Sequence, residues 1–388
     1  MDRDVIIIGG GLVGASLALA LHAARLRVAL VEARPLPPPP EDGSWDQRIY
    51  AISPGSAAFL ENLGVWRRLD AARVQRVEDM RVFGDDVVSE LDFSAYETGL
   101  RELAFIVENR ALQRAIWEAL QSEPHIECIV PAGCDRLELT AEAAELSLTN
   151  GRRLRARLVV GADGADSWVR AQAQIDAVAR PYRQSAVVAN FSVAQPHHGA
   201  AFQWFRRDGV LALLPLPRAR VSMVWSTTET HAAQLQALAP PALAAEVTAA
   251  SHGALGALET ITPAAGFALN LQRARRFVAP RVALVGDAAH SIHPLAGQGV
   301  NLGFRDAREL AQVLAQRGPY DCGDFHLLRR YERARREDVL VTQFSADALQ
   351  RLFNRDPRGR FAGVRNFGLR LTNRGARLKS LLVRHAVE

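Results

Sequence analysis

Gly9, Gly11 and Gly14 form a GxGxxG pattern directly after the apolar run of residues 5–8, and Glu32 follows eighteen residues beyond Gly14. This combination can hold a dinucleotide. The first glycine permits a tight turn, the second lets the backbone approach a pyrophosphate at a helix N-terminus, the third allows close helix packing, and the acid accepts hydrogen bonds from a ribose. The fingerprint alone does not separate FAD from NAD(P). Two later runs also carry reactive types: residues 161–170, GADGADSWVR, with Asp163, and residues 286–303, GDAAHSIHPLAGQGVNLG, with Asp287, His290 and His293. Imidazole titrates near neutral pH, which invites an acid–base reading of both histidines. No nucleophile accompanies them, so a positional role is expected. Cys128, Cys134 and Cys322 have neither CxxC nor Cys/His spacing, and neither a metal centre nor a disulfide framework is expected.

These residues need a strand, a turn and a helix to position them. Residues 5–8 read as a strand, 9–14 as the glycine turn, 15–25 as a helix and 27–32 as a second strand, a βαβ opening. The unbroken apolar strand suits a parallel sheet buried on both faces. The prolines within residues 35–40 break the sheet and predict an extended surface loop. Residues 107–120 read as a helix, and 135–139, 144–149 and 154–160 as antiparallel strands with Asn150-Gly151 as a hairpin turn. Residues 186–193, 201–206, 210–216 and 221–226 predict a separate β-sheet layer, turning at Asp208-Gly209. On it, Gln203 and Trp204 are candidates for a substrate pocket, although alternation does not separate a pocket wall from core packing. An Ala/Leu-rich helical stretch follows, then a buried strand at 281–285 and helices from Asn301 onward.

With 388 residues and 48% hydrophobic content, the chain can bury more than one core. The uncharged stretch 5–24 superficially resembles a targeting or membrane segment, but its three consecutive glycines and its continuation into a strand argue against both. A cytoplasmic protein is expected. Residues 351–388 hold ten basic and two acidic residues, whereas residues 1–350 hold 37 and 40, so the net charge of +5 is a C-terminal property. All but one of the basic residues are arginine throughout, which weakens arginine as a sign of phosphate recognition; no nucleic-acid partner is expected. In the C-terminal region Phe361, Val364, Phe367 or Gly368, and Leu371 recur at helical spacing among arginines. Three readings stay open for that face: peripheral contact with an anionic membrane at its inner surface, contact with another protein, or packing on the chain's own core.

The run 161–170 resembles the Asp-Gly motif of flavin-dependent aromatic hydroxylases, and the run 286–303 is similar to their second flavin-binding motif. With the N-terminal fingerprint, these motifs span Val5 to Ala307 in the family's order. The unbroken GDAAH, HPLAGQG and NLG blocks resemble most closely the ubiquinone-biosynthesis hydroxylases, which are para-hydroxybenzoate hydroxylase-like flavin monooxygenases. The resemblance implies FAD as cofactor, with NAD(P)H as a transient co-substrate because no second GxGxxG is present. It further implies that O2 reacts through a C4a-hydroperoxyflavin to hydroxylate an aromatic, prenylated phenol. The flavin carries the chemistry, and no side chain is assigned as catalytic. Asp287 is implied at the FAD ribitol and pyrophosphate, and Gly297, Gly299, Val300 and Asn301 at a helix start whose amides stabilise charge on the reduced flavin. Arg48 and Arg110 are implied near FAD, Asp163 at the cofactor or nicotinamide channel, and Pro294 beside Gln203 and Trp204 in the pocket.

The implied fold is α/β: a Rossmann-type FAD-binding domain (1–75, 100–180, 270–325), an inserted β-sheet substrate domain (76–99, 181–269) and a basic helical C-terminal region (326–388). Two alternatives stand beside this reading. One is a flavin monooxygenase or reductase acting on another phenol or lipid; the other is a non-catalytic FAD-binding component of a biosynthetic complex.

Overall fold

The apolar run at the N-terminus becomes the centre of a parallel sheet. In the computed structural model, which describes residues 3–36, 38, 43–84, 90–291 and 298–354, strand Arg3–Ile8 lies between Arg153–Gly161 and Val28–Val31, parallel to both. Glu127–Ile129 extends the sheet beyond Val28–Val31, and Val282–Leu284 extends it beyond Arg153–Gly161. Cys134–Leu139 and Ala144–Leu148 add an antiparallel flap. Val5, Ile6, Ile7, Val159 and Val160 are fully buried, as a central parallel strand covered on both faces requires.

Helix Leu12–Ala23, buried from Gly14 to Leu21 on nearly every side, packs on this sheet, and helix Gly299–Ala315 crosses it closely. A Cβ on Gly303 would stand 2.4 Å from a methyl of Val13, so glycine there sets the crossing distance. The helix Phe325–Asn354 closes this layer.

The second sheet has nine strands, with the 17-residue strand Ala177–Val193 near its middle. Its two faces differ. Val187, Leu211, Leu213, Met223 and Trp225 are fully buried beneath helices Glu229–Ala237 and Pro240–Ala250. On the opposite face Ala212, Leu214 and Val224 keep partial exposure, and Phe267 is 41% exposed.

The α/β fold class expected from the sequence is the one observed, with differences in detail. The helix expected at 107–120 is Asn109–Gln121, because Val107 and Glu108 end the strand Ala104–Glu108. That strand pairs with Ile49–Ile52 and Gln75–Val77 in a three-stranded sheet whose strands are too short to show a period. The long strand starts at Ala177 rather than 186; its register shifts between Pro181 and Gln184, a bulge that hides the alternation. Its partner Ala265–Ala274 also escaped the pattern. Most of the proline loop and the amphipathic C-terminal segment lie outside the described residues.

Candidate cofactor and substrate site

The glycine turn separates what the protein itself demands from what it leaves open. Gly9 has φ +108°, and a Cβ there would meet the Ala162 carbonyl oxygen at 2.3 Å; a Cβ on Gly14 would meet the Gly9 oxygen at 2.0 Å. Both must be glycine for packing alone. A Cβ on Gly11, in contrast, would meet nothing within 4 Å. The helix behind it has no side-chain N-cap and no acid in its first turn. Its orphan amides and positive dipole end therefore face open space, the arrangement that binds a pyrophosphate.

Glu32 closes the turn from the second strand. Its Oε2 accepts from the Gly10 N–H at 2.6 Å, and its Oε1 accepts from the Arg34 N–H at 2.8 Å. Gln113 Nε2 and Trp117 Nε1 donate to the Gly10 carbonyl at 2.8 and 2.9 Å. Sequence reasoning did not single out these two, although they stand four apart on one face of helix Asn109–Gln121.

The GDAAH segment is held from behind by buried charges. Asp306, fully buried on helix Gly299–Ala315, accepts from the Gly286 N–H at 2.9 Å and pairs with His290 Nε2 at 2.7 Å and Arg335 Nε at 2.7 Å. Arg335 continues to Asp338 at 2.6 Å, Asp338 to Arg305 at 3.0 Å, and Arg305 to Gln298 Oε1 at 3.0 Å. Burial pushes the Asp306 pKa up, but the charges and hydrogen bonds of His290 and Arg335 outweigh it and leave a net lowering. His290 is 2% exposed and occupied in this network, a positional role. His293 lies outside the described residues.

Asp287 is placed differently. Its side chain reaches solvent, yet protein encloses it closely enough that desolvation raises its pKa, with His290 and Arg48 counteracting and Asp306 reinforcing the rise. Among the described residues it accepts no side-chain hydrogen bond. A carboxylate without a hydrogen-bond partner among the described residues, beside an open glycine turn, is available to a ligand.

The first residues of helix Gly299–Ala315 also lack a side-chain cap and an acid. Gly299 leaves the helix start bare, and Val300 packs partly into the core. The Asn301 side chain is held within the chain: its Nδ2 donates to the Ala51 carbonyl at 2.8 Å and its Oδ1 accepts from the Ser53 N–H at 2.9 Å. The side chain locks the helix to strand Ile49–Ile52, and the backbone amides of this helix start carry no side-chain cap. Gly297 and Pro294 lie outside the described residues.

The two arginines divide. Asp46 accepts from the Arg48 N–H at 3.0 Å and from the Arg110 N–H at 2.9 Å, and its own N–H donates to Glu108 at 2.7 Å. Asn190 Nδ2 from the second sheet donates to the Asp46 carbonyl at 2.8 Å, tying this loop to both sheets. From it the Arg48 guanidinium extends over the rings of Phe267, 5.5 Å away, and Tyr50, 5.8 Å away, and lies near enough to Asp287 to act on its titration. The Arg110 guanidinium turns instead to Glu108 and Ser44, each at 3.4 Å, while Arg73 holds the same Glu108 at 2.6 Å. Arg110 is therefore also engaged within the chain.

Asp163 also has protein partners. It accepts from Ser167 Oγ at 2.6 Å and from the Val169 N–H at 3.0 Å, fastening the start of helix Trp168–Gln172. It positions the turn that closes over Gly9. Trp204 is corrected outright: 3% exposed, it stacks 5.4 Å from Phe83 and 5.9 Å from Phe202 in the helix-covered core. Gln203, its neighbour in sequence, faces the opposite side of the sheet. The site thus joins the Gly11 cradle, Glu32, Arg48, Asp287 and the start at Gly299 on one layer, with the open sheet face bearing Phe267 across from Arg48.

Comparison with known proteins follows the same lines. A family model described as FAD binding domain matches residues 2–341. Over 387 residues, 99% of this chain and 98% of its relative, the sequence is 36% identical to the 3-demethoxyubiquinol 3-hydroxylase of Escherichia coli (strain K12). It is 30% identical over 433 residues to the mitochondrial ubiquinone biosynthesis monooxygenase COQ6 of Homo sapiens, covering 99% and 92% of the two chains. The crystal structure of P. aeruginosa PqsL in complex with 2-aminobenzoylacetate is similar with a TM-score of 0.78 at 26% identity, covering 94% and 99%. The p-nitrophenol 4-monooxygenase PnpA from Pseudomonas putida DLL-E4 shares the fold, with a TM-score of 0.78 at 18% identity and coverage of 99% and 98%.

Proposed function

The chain belongs to the FAD binding domain family and is an FAD-dependent monooxygenase, and on that footing we propose that it hydroxylates the ring of a polyprenylated phenol in ubiquinone biosynthesis. The observation that carries the cofactor assignment is the Gly11 cradle, bare where protein packing demands nothing, in front of an uncapped helix start. The relatives named for ubiquinone hydroxylation support the substrate class.

The residues present fit FAD. The amides after Gly11 would hold the pyrophosphate, Glu32 the ribose, and Asp287 with Arg48 the region between pyrophosphate and ring system. Bound FAD supplies electron transfer from NAD(P)H to dioxygen and delivery of one oxygen atom to the substrate ring. The start of helix Gly299–Ala315 stabilises negative charge developing beside it, a preorganised effect that needs no reorganisation during reaction. The open face of the nine-stranded sheet, with Ala212, Leu214 and Val224, gives the substrate an apolar floor that excludes water.

A substrate with an isoprenoid tail resides in a bilayer, and the excess of ten basic over two acidic residues in 351–388 supports peripheral contact with an anionic membrane. Among the described residues no helix is long and apolar enough to cross one. Two tests apply. Deleting the gene and identifying the accumulated quinone precursor by mass spectrometry checks the substrate; a precursor pattern unchanged by deletion contradicts it. Co-sedimentation with anionic vesicles at two salt concentrations checks the contact, and binding that is absent or insensitive to salt contradicts it.

A further inference from the structure

We propose that Gln203 is a specificity-determining residue that reads an oxygen substituent on the substrate ring; this deepens the hydroxylase reading and rests on it. Gln203 is 7% exposed on strand Ala200–Arg206, and its amide makes no hydrogen bond with any described residue. Its amide atoms are not fully buried and keep slight access to solvent, so a ligand that displaces that water must supply the hydrogen bonds in its place.

Its surroundings define what that ligand is. Across the sheet Gln203 is in register with Val82 on one side and Ala212 on the other, Ala212 with Val224, and Val224 with Val188. The row has one polar member among aliphatic ones. Neighbouring strands stand about 4.8 Å apart, so Gln203 and Val188 are separated by roughly 14 Å, enough for an aromatic ring to lie over Ala212 and Val224 with its edge at the amide. Ala212 and Val224 are the members of this row that keep partial exposure, on the face turned away from the covering helices. An amide both donates and accepts, so Gln203 can accept from a phenol hydroxyl or donate to an ether or phenolate oxygen. The geometry therefore selects a ring carrying oxygen over the same ring without it. Sites built to hydrogen-bond a substrate hydroxyl reject the analogue lacking it far more strongly than apolar pockets distinguish methylenes.

The test compares binding of 2-prenylphenol and prenylbenzene to FAD-loaded protein, read as perturbation of the flavin absorbance, for the wild type and for Gln203→Leu. The variant keeps the volume and removes the amide. The wild type is expected to bind the phenol at least roughly 10-fold more tightly than prenylbenzene, the scale of one satisfied buried hydrogen bond. Gln203→Leu is expected to bind both alike while retaining FAD content and thermal midpoint. A variant that keeps the wild-type preference overturns the assignment. Binding of neither compound by FAD-loaded wild type overturns the substrate class itself, and a wild type that binds the phenol without hydroxylating it overturns the hydroxylase reading while leaving the role of Gln203 to be decided by the variant's preference.

Discussion

Replacing Asp306 by asparagine removes the charge on which the flavin-side turn rests. Its carboxylate is fully buried and is shared by the Gly286 N–H, His290 and Arg335, all three of which come from outside its own helix turn, by 20, 16 and 29 residues. Asparagine keeps the volume but removes one of the two carboxylates that Arg335 pairs with, Asp338 staying at 2.6 Å, so the loss lies toward the lower end of the about 3–5 kcal/mol that breaking a buried pair costs. The Gly286 N–H then competes for a single amide oxygen, and the Asp287 turn loosens. Urea denaturation of the apoprotein measures the first effect and titration of apoprotein with FAD, followed by flavin fluorescence, the second; a loss of roughly tenfold in FAD affinity corresponds to about 1.4 kcal/mol at the turn. The pH dependence has a definite sign. Because the folded-state pKa of Asp306 is lowered below its ordinary 3.8, its contribution is present above that value and lost as pH falls through the lower folded pKa. The stability gap between wild type and variant must therefore close in acid. A variant within about 0.5 kcal/mol of wild type at neutral pH, the range of ordinary surface changes, with unchanged FAD affinity, refutes the reasoning.

Gly11→Val is expected to fold with an unchanged apoprotein melting temperature, since its Cβ meets no protein atom within 4 Å, and to lose FAD; full FAD content after purification contradicts the cradle. Asp287→Asn should weaken FAD binding or turnover. Its raised folded pKa means that the native carboxyl favours stability below its unfolded pKa and that this advantage disappears as pH rises through the folded pKa, so the variant's apoprotein should gain on wild type between acid and neutral pH. A pH-independent difference in urea midpoint counts against that. Asn301→Ala removes hydrogen bonds to Ala51 and Ser53 and should cost about 2 kcal/mol by the same denaturation assay; a loss confined to FAD affinity would mean that the side chain serves the cofactor instead.

The parts legible in the sequence are those governed by local geometry. Gly9 and Gly14 are dictated by backbone atoms of adjacent elements, and the apolar run 5–8 by burial on both faces. Trp204 misled because a strand's period of two distinguishes faces without saying which one is covered, and here helices Glu229–Ala237 and Pro240–Ala250 cover the tryptophan's face. Asn301 and Asp163 lie within motifs whose residues face two ways, toward ligand and toward scaffold, and only their partners at Ala51, Ser53, Ser167 and Val169 separate the roles. The Asp46–Glu108 interlock was illegible for another reason: it joins a backbone amide to a carboxylate 62 residues away, and nothing periodic marks such a pair. Strands Ile49–Ile52 and Gln75–Val77 are held by pairing to Ala104–Glu108 rather than by their own pattern.

The most direct measurement of the central claim uses purified FAD-loaded protein, NAD(P)H, a prenylated phenol and isotopically labelled dioxygen, with product mass and reductant consumption followed together. A monooxygenase incorporates one labelled oxygen atom into the ring for each NAD(P)H consumed. Reductant oxidised with hydrogen peroxide as the sole oxygen product, or a hydroxylated ring whose oxygen comes from water, would contradict it.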